Sequence, residues 1–286
     1  MVAALVLAVL GVPAHARADD EARSAANRST PYFRETGCTE IGYLRGGLTS
    51  AVRPLVPERF ALVDYPGFPE GSPPRVELYV NEVTCDRGRF LRGNDSRHYT
   101  YLIVSAFVTS SEGDQRDGSY VLFFATESRE QRVALRRAGW PVIALSKRTT
   151  ALITRDTGGT PVGAALHVVG GRWDHDIAAV ANSALSSVET STYGFYRDTA
   201  TGPSTLCFAN RAAVAGASYS GDLRGTPFAT VAYVPPQFTG YPATLVVGDW
   251  DATVTPGACP ASTARRMTVP QRSPSTQPLD DQRMGG

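Results

Sequence analysis

Two histidines beside acidic residues are the clearest candidates for chemistry in this 286-residue chain. His167 and His175 flank the dipeptide Gly170-Gly171, which suits a two-residue type I′ hairpin turn with positive φ at both positions. Such a turn would pair His167 with Asp174 on one face, because side chains alternate along strands. The other face would then carry the following side chains: Leu166, Val168, Trp173, His175 and Ile177.

His175 on that apolar face needs a hydrogen-bonding partner once it is buried. The sequence leaves two interpretations open, a core histidine satisfied by the protein itself and a ligand-contacting histidine beside Trp173. The segment Asp174-His175-Asp176 does not predict a metal site, because only its two aspartates share a face. No metal ion is therefore expected.

Other catalytic patterns are missing from the sequence. Lys147 is the only lysine among 28 basic residues, so an amine nucleophile has one candidate. The segment Gly216–Ser220 lacks the last glycine of a GxSxG motif, and the sequence contains no HExxH, P-loop or GxGxxG motif. We therefore predict no cofactor and find no support for serine-hydrolase chemistry.

Four scattered cysteines predict two disulfides in an exported chain. No CxxC or Cys/His cluster is present, which argues against zinc and thioredoxin-type chemistry. Three pairings remain open. Cys38–Cys85 and Cys207–Cys259 are favoured, because each closes a loop within its own half of the chain.

Composition excludes several classes of partner. The chain is 42% hydrophobic and 19% charged, with a mean hydropathy of −0.16, as in soluble globular proteins. The formal net charge of +1 makes nucleic acid a poor partner. No uncharged run is long enough to predict a transmembrane segment after signal cleavage. Composition does not indicate the oligomeric state.

The two ends differ in composition from the middle. Residues 1–18 resemble a signal peptide, with an apolar stretch followed by small residues at Ala14-His15-Ala16 or Ala16-Arg17-Ala18. Residues 19–30 form a polar leader, and residues 261–286 form a tail rich in Pro, Ser, Gln and Arg that predicts disorder. The folded domain is thus expected over residues 31–260, in a secreted or cell-envelope protein.

Most apolar stretches of that domain have strand length and composition. The predicted strands are Val76–Val83, Tyr99–Val108, Tyr120–Ala125, Val142–Leu145, Thr150–Thr154, Val162–Val169, Phe228–Val234 and Thr244–Val247. A capping box at Ser128 predicts a helix that stops at Gly139. A short helix is expected from Thr49 to Leu55, and a third from Ile177 to Val188 on helical spacing. The predicted fold class is a single β-rich α+β domain.

Two segments together resemble the acetoacetate decarboxylase-like superfamily. The first is Gly42-Tyr43-Leu44-Arg45, followed eleven residues after Arg45 by Val56-Pro57-Glu58-Arg59-Phe60. The second is a strand and helix that end in Ala138-Gly139-Trp140-Pro141-Val142-Ile143. The match covers roughly Ile41 to Ile153 and implies a β-barrel with a few short helices.

The departures from that family concern its chemistry. Acetoacetate decarboxylase itself is the standard example of a Schiff-base lysine activated by a neighbouring cation. The resemblance places Val142 and Ile143 at those two lysine positions, and Tyr101 near the family's acidic side chain. Arg45 is the nearest match to the arginine that binds the substrate carboxylate, one residue out of register. Lys147 lies five residues beyond Val142, on the opposite face of a continuing strand.

These features predict an exported protein that binds a small apolar or carboxylate ligand in the barrel cavity. The candidate ligand-binding residues are Arg45, Tyr101, Val142, Ile143, Trp173 and His175. The first alternative is an enzyme, a lyase acting on a carbonyl or carboxylate substrate through groups other than lysine, such as His175 or Tyr101. The second is a non-catalytic interaction module of the cell envelope.

Overall fold

The structure is a computed structural model of the chain. It describes residues 32–65, 71–90, 94–110, 118–200, 202–222, 226, 228, 238–255 and 259. The expected signal peptide, polar leader and C-terminal tail lie outside the described residues, as does the predicted strand Phe228–Val234 beyond its first residue.

Strands dominate the described chain. They are β1 (Tyr32–Leu48), β2 (Phe60–Leu62), β3 (Arg75–Phe90), β4 (Asn94–Ser110), β5 (Gly118–Thr126), β6 (Val142–Ala144), β7 (Thr150–Arg155), β8 (Pro161–Val169), β9 (Asp174–Ala181), β10 (Glu189–Thr199), β11 (Gly202–Asp222) and β12 (Phe238–Thr255). The helices are α1 (Thr49–Val52), which continues as a 3₁₀ turn over Arg53–Leu55, and α2 (Arg129–Arg137). The β-rich class predicted from the sequence is confirmed.

All twelve strands belong to one sheet. Its order is β10-β5-β4-β3-β1-β12-β11-β9-β8-β7, with β2 on β4 and β6 on β5. Strand β10 also pairs with β11, so the pairings return to β10 after seven strands. Long antiparallel strands pair extensively; β1 and β3, for example, pair at fifteen residue positions. This sheet holds the interior side chains in fixed register.

Alternation along these strands creates two apolar clusters, one on each face. Cluster 1 takes Leu78 and Val80 from β3 and is covered by β8 and β9. Cluster 2 takes Val83 and Cys85 from the same strand, together with residues of α2. Because a strand sends successive side chains to opposite faces, neighbouring residues of β3 and β4 belong to different clusters. The cluster to which a residue belongs therefore determines which side chains it can contact.

Helix α2 follows its predicted start and stop signals. The Ser128 Oγ accepts a hydrogen bond from the backbone N–H of Gln131 at 3.0 Å, which caps the first turn. Gly139 follows the helix with φ +84°, a conformation that glycine adopts without a steric penalty. The capped helix places Gln131 and Leu135 against cluster 2.

The predicted helix from Ile177 to Val188 is wrong. Residues 174–181 form β9, which pairs with β8 on one side and β11 on the other. Burial there alternates, with His175, Ile177 and Ala179 buried. Two flanking strands satisfy the backbone hydrogen-bonding groups of this segment, and this outweighs the helical spacing of its small apolar residues.

The β8–β9 hairpin also differs in detail from its prediction. The turn contains four residues, Gly170 to Trp173, and is closed by the Gly170 N–H donating to the Trp173 carbonyl at 2.7 Å. Neither glycine has the positive φ that a type I′ turn requires. His167 therefore pairs with Asp176, Nδ1 to Oδ1 at 2.8 Å, and not with Asp174. The shift of two residues preserves the predicted faces, so His175 is still buried.

Both favoured disulfides are present. Cys38–Cys85 joins two residues that are direct partners across β1 and β3, and Cys207–Cys259 joins β11 to the segment after β12. The described residues include no helix long and apolar enough to cross a membrane.

Candidate functional site

A bulge in β1 creates a polar region beside cluster 2. The register against β12 shifts between Glu35 and Cys38, and Gly37 between them has φ +65°. Residues three apart in a regular strand point to opposite faces, but one extra residue returns them to the same face. The bulge therefore places Glu35 beside the Cys38–Cys85 disulfide, with a carboxylate oxygen within 4.8 Å of the sulfurs.

Glu35 is fully buried and accepts three hydrogen bonds. Its Oε1 accepts from the Tyr99 hydroxyl at 2.8 Å and from the Gln131 side-chain amide at 2.9 Å. Its Oε2 accepts from the Tyr101 hydroxyl at 3.0 Å. Strand β4 supplies both tyrosines and the first turn of α2 supplies the amide, so three elements converge on one carboxyl group.

Glu40 forms the second half of this region, on the same face of β1. Its Oε1 accepts from the Tyr79 hydroxyl at 3.1 Å and from the Asn81 side-chain amide, both on β3. We call the whole set the carboxyl–tyrosine network. Its members are Glu35, Glu40, Tyr79, Asn81, Tyr99, Tyr101 and Gln131.

Burial changes the acid–base chemistry of the network. Loss of solvation raises the pKa of Glu35 from 4.5 to about 7, and the hydrogen bonds from Tyr99 and Tyr101 only partly oppose this rise. Burial likewise raises the pKa of Glu40, against the hydrogen bonds from Asn81 and Tyr79. A carboxyl group of this kind exchanges its proton near neutral pH, which is the property of a general acid or base.

The neighbouring sulfurs do not make this region a metal centre. Glu35, Cys38 and Cys85 are close enough for their ligand atoms to meet around one ion. Both cysteines are bonded to each other, however, and only a thiolate is a good sulfur ligand. The disulfide instead forms an apolar wall beside the Glu35 carboxyl.

The six predicted ligand-binding residues do not converge on one site. Tyr101 and Val142 are buried in cluster 2, next to the carboxyl–tyrosine network. His175 is buried in cluster 1, with the half-buried Trp173 packed against the same cluster. Ile143 does not reach the interior, because its side chain is 42% exposed on the short strand β6.

Arg45 also lies away from Tyr101 and Val142. It is buried, and its guanidinium carbon stands 5.8, 5.0 and 4.9 Å from the ring centroids of Tyr43, Tyr219 and Tyr241. Tyr43 and Tyr219 belong to cluster 1. Arg45 therefore lies on the opposite face of the sheet from Tyr101 and Val142.

Lys147 lies in the turn between β6 and β7, where its side chain is exposed. No other lysine exists in the sequence. The buried clusters of the described residues consequently contain no primary amine.

Sequence reasoning missed the buried acidic residues Glu35, Glu40 and Glu82, of which Glu82 lies outside the network. Val76, Leu78 and Val80 set a period of two on β3, and the same period extends to Glu82, so a buried acid could have been read from that strand. Glu35 gives no such signal, because the bulge after it reverses the alternation of β1. Tyr99 and Tyr101 belong to a predicted strand, but their partners lie more than sixty residues away in sequence.

A surface groove lies away from the network. It measures about 380 Å³ and is formed by β7, β8, β9 and the end of β11. The His167–Asp176 pair lies in its lining, together with Leu152, whose side chain is 68% exposed.

Comparison with known proteins gives structural neighbours only. No protein-family model and no curated protein sequence matches the chain. Acetoacetate decarboxylase from Legionella pneumophila is 8% identical over 78% of this chain and 86% of its own, with a TM-score of 0.49. The enduracididine biosynthesis enzyme MppR, complexed with the condensation product of pyruvate and imidazole 4-carboxaldehyde, is 9% identical over 80% of this chain and 88% of its own, also with a TM-score of 0.49.

A third neighbour is an acetoacetate decarboxylase-like enzyme from Sphingomonas wittichii RW1. It is 8% identical over 79% of this chain and 92% of its own, with a TM-score of 0.41. The structural neighbours thus include acetoacetate decarboxylases, an acetoacetate decarboxylase-like enzyme and MppR.

Proposed function

We propose that this protein binds a small carbonyl- or carboxylate-bearing ligand against the carboxyl–tyrosine network, without forming an imine. The observation that carries the proposal is the Glu35 carboxyl, buried among three hydrogen-bond donors with a pKa near 7. Burying an ionisable group is costly for folding, and groups of this kind concentrate at functional sites.

The network has hydrogen-bonding properties that suit a carbonyl or carboxylate oxygen. While Glu35 is ionised, the hydroxyls of Tyr99 and Tyr101 are occupied in donating to it. When Glu35 takes up a proton, its own O–H becomes a donor, and the neutral acid attracts those hydroxyls less strongly. The protonated network therefore offers donors to a ligand oxygen.

The apolar part of the ligand would meet cluster 2. Val142 and Phe124 are partners across the parallel β5–β6 pair, and both are buried in this cluster. The sequence resemblance assigns Val142 to the position of the Schiff-base lysine. An alkyl side chain cannot condense with a ketone, so this position contributes an apolar surface in place of a nucleophile.

Export belongs to the same proposal. Two disulfides suit an oxidising compartment, since cytosolic thiols are kept reduced. The apolar segment at residues 1–18 supplies the expected signal. These two features together support the proposed secreted or cell-envelope location.

An enzyme is the second candidate function, and the pKa of Glu35 favours it. A carboxyl group that titrates near 7 can transfer a proton to or from a carbonyl substrate at neutral pH. Tyr99 and Tyr101 would then stabilise charge on the carboxyl during the reaction. Turnover of a 3-oxo acid by the purified protein would support this candidate over simple binding.

Calorimetric titration with pyruvate and acetoacetate tests the proposal. We expect both anions to bind more tightly at about pH 6 than at about pH 8, by up to about tenfold per pH unit above the pKa of Glu35, because binding requires the carboxyl proton. Uncharged acetone should show a smaller pH dependence. In Glu35→Gln this pH dependence should disappear, since glutamine is neutral throughout the range.

Glu58→Gln is the matched control, because Glu58 is exposed. It should retain the pH dependence of the unchanged protein. Binding that is absent at every pH, or a pH dependence that survives Glu35→Gln, would contradict the proposed role of the network.

A further inference from the structure

A second polar site lies in cluster 1, on the opposite face of the sheet from the network. Glu82 on β3 and His175 on β9 are both fully buried there, with His175 Nε2 at 3.1 Å from Glu82 Oε1. The Tyr43 hydroxyl donates to the same Oε1 at 2.8 Å. The strand neighbours of Glu82 are Ile41 and Leu102, which supply no polar side-chain atom.

Two buried atoms of this pair lack a hydrogen-bond partner among the described residues. They are Glu82 Oε2 and His175 Nδ1. A buried polar atom without a partner destabilises the folded protein, more so when the group is charged, so such atoms call for an explanation.

The hydrogen-bonding roles of Glu82 and His175 define which kind of group could satisfy the two partnerless atoms. Glu82 Oε1 receives the Tyr43 hydroxyl, and an ionised carboxylate only accepts, so His175 Nε2 must carry the hydrogen that it directs to Glu82. In a neutral imidazole the other nitrogen, Nδ1, is then an acceptor. With Glu82 ionised and His175 neutral, both partnerless atoms are acceptors, and their complement is a hydrogen-bond donor.

The surrounding side chains are aromatic. Trp173 stacks on the His175 ring with centroids 5.9 Å apart, and Phe228 meets the same ring edge-on at 6.1 Å. Phe123 packs against both Trp173 and Phe228. Aromatic faces attract organic cations, and this attraction strengthens away from water.

Trp173 differs from His175 in its exposure to solvent. Its side chain is only half-buried, whereas His175 beneath it is fully buried. The ring lies close over Gly170, where an added Cβ would meet ring atoms at 2.0–2.6 Å. Trp173 therefore combines partial exposure to solvent with direct stacking on the buried His175 ring.

We propose that Glu82, His175 and Trp173 form a binding site for a small primary amine, bound as its ammonium ion. The N–H groups of the ammonium donate to Glu82 Oε2 and His175 Nδ1, and its positive charge is balanced by the Glu82 carboxylate. The aromatic rings of Trp173 and Phe228 cover the alkyl part. This site is separate from the carboxyl–tyrosine network and uses none of its residues.

Methylammonium and tetramethylammonium chloride are the probes that test this site. Both carry one positive charge, but only methylammonium has N–H donors. We expect methylammonium to produce a saturable shift of the His175 Nδ1 resonance in histidine-selective ¹⁵N NMR, with a parallel change at the Trp173 indole. Tetramethylammonium should produce neither, and this comparison needs no variant that could fail to fold.

Three single-residue variants then test whether methylammonium binds at the Glu82–His175 pair. Glu82→Gln should weaken methylammonium binding by more than about tenfold, because the carboxylate charge that balances the ammonium is lost. Asp174→Asn is the matched control, since Asp174 precedes His175 in the chain but is exposed on the other face of β9. Glu35→Gln should leave methylammonium binding unchanged, which separates this site from the proposed function.

Three results would overturn the proposal. They are no saturable response to methylammonium, an equal response to tetramethylammonium, and unchanged affinity in Glu82→Gln. A buried water that satisfies both acceptors permanently would produce the first of these.

Discussion

The Glu35→Gln variant is expected to become more stable relative to the unchanged protein as the pH rises from about 4 to about 8. The quantity compared is the free energy of unfolding of the two proteins at each pH. The folded-state pKa of Glu35 is raised from 4.5 to about 7. Between those values the folded state holds a proton that the unfolded state has lost, so the stability of the unchanged protein falls as pH rises. Glutamine does not ionise and removes this fall.

The magnitude follows from the size of the pKa shift. The free energy of unfolding of the variant, relative to the unchanged protein, should rise by about 3 kcal/mol between the two pH values. Urea unfolding at several pH values measures it. Glu40 titrates in both proteins and cancels in the difference. An unchanged difference across the range would mean that Glu35 ionises normally in the folded state.

Removal of the Cys38–Cys85 disulfide is the second change with a large expected effect. The double variant Cys38→Ala/Cys85→Ala should lose about 4 kcal/mol of unfolding free energy, because the bond closes a loop of 47 residues in the unfolded chain. Both side chains are buried, and alanine avoids leaving a free thiol in cluster 2. Thermal and urea unfolding under non-reducing conditions measure the loss.

The second disulfide supplies the comparison for that experiment. Cys207→Ala/Cys259→Ala opens a loop of similar length, with a sequence separation of 52, so a similar loss is expected. A loss below about 1 kcal/mol in the first double variant would show that the bond does not restrict the unfolded chain as the loop-closure argument requires.

Strand composition and helix capping made the fold class predictable, because both depend only on residues that are close together in the sequence. Helix α2 begins at its serine cap and ends before Gly139, where the sequence places both signals. The apolar segment Tyr99–Val108 lies within β4, and its two-sided burial follows from its position inside the sheet. Where neighbouring residues determine the conformation, the sequence was sufficient.

Long-range pairing decided the features that the sequence misassigned. The segment from Ile177 has helical spacing, yet β8 and β11 offer its backbone two sets of partners. The Gly170-Gly171 pair suits a tight turn, but Trp173 packs over Gly170 and the turn takes four residues. Neither the partner strands of β9 nor the packing of the Trp173 ring on Gly170 can be predicted from the neighbouring residues alone.

The candidate site was predictable only in part for the same reason. Tyr101, Val142 and His175 were singled out and are buried, but they divide between two faces of the sheet. The bulge at Gly37 reverses the alternation of β1, and it brings Glu35 into contact with residues of β4 and α2. Glu35 and Glu40, whose pKa values are raised by burial, are therefore positioned by strand register, and no sequence motif marks them.

The central claim is that the buried Glu35 carboxyl group changes its protonation state near neutral pH. Titration of the Glu35 side-chain carboxyl by ¹³C NMR tests it directly, with Glu35→Gln used to identify the resonance. We predict a midpoint at about 7. A midpoint at the ordinary value of 4.5 would contradict the account.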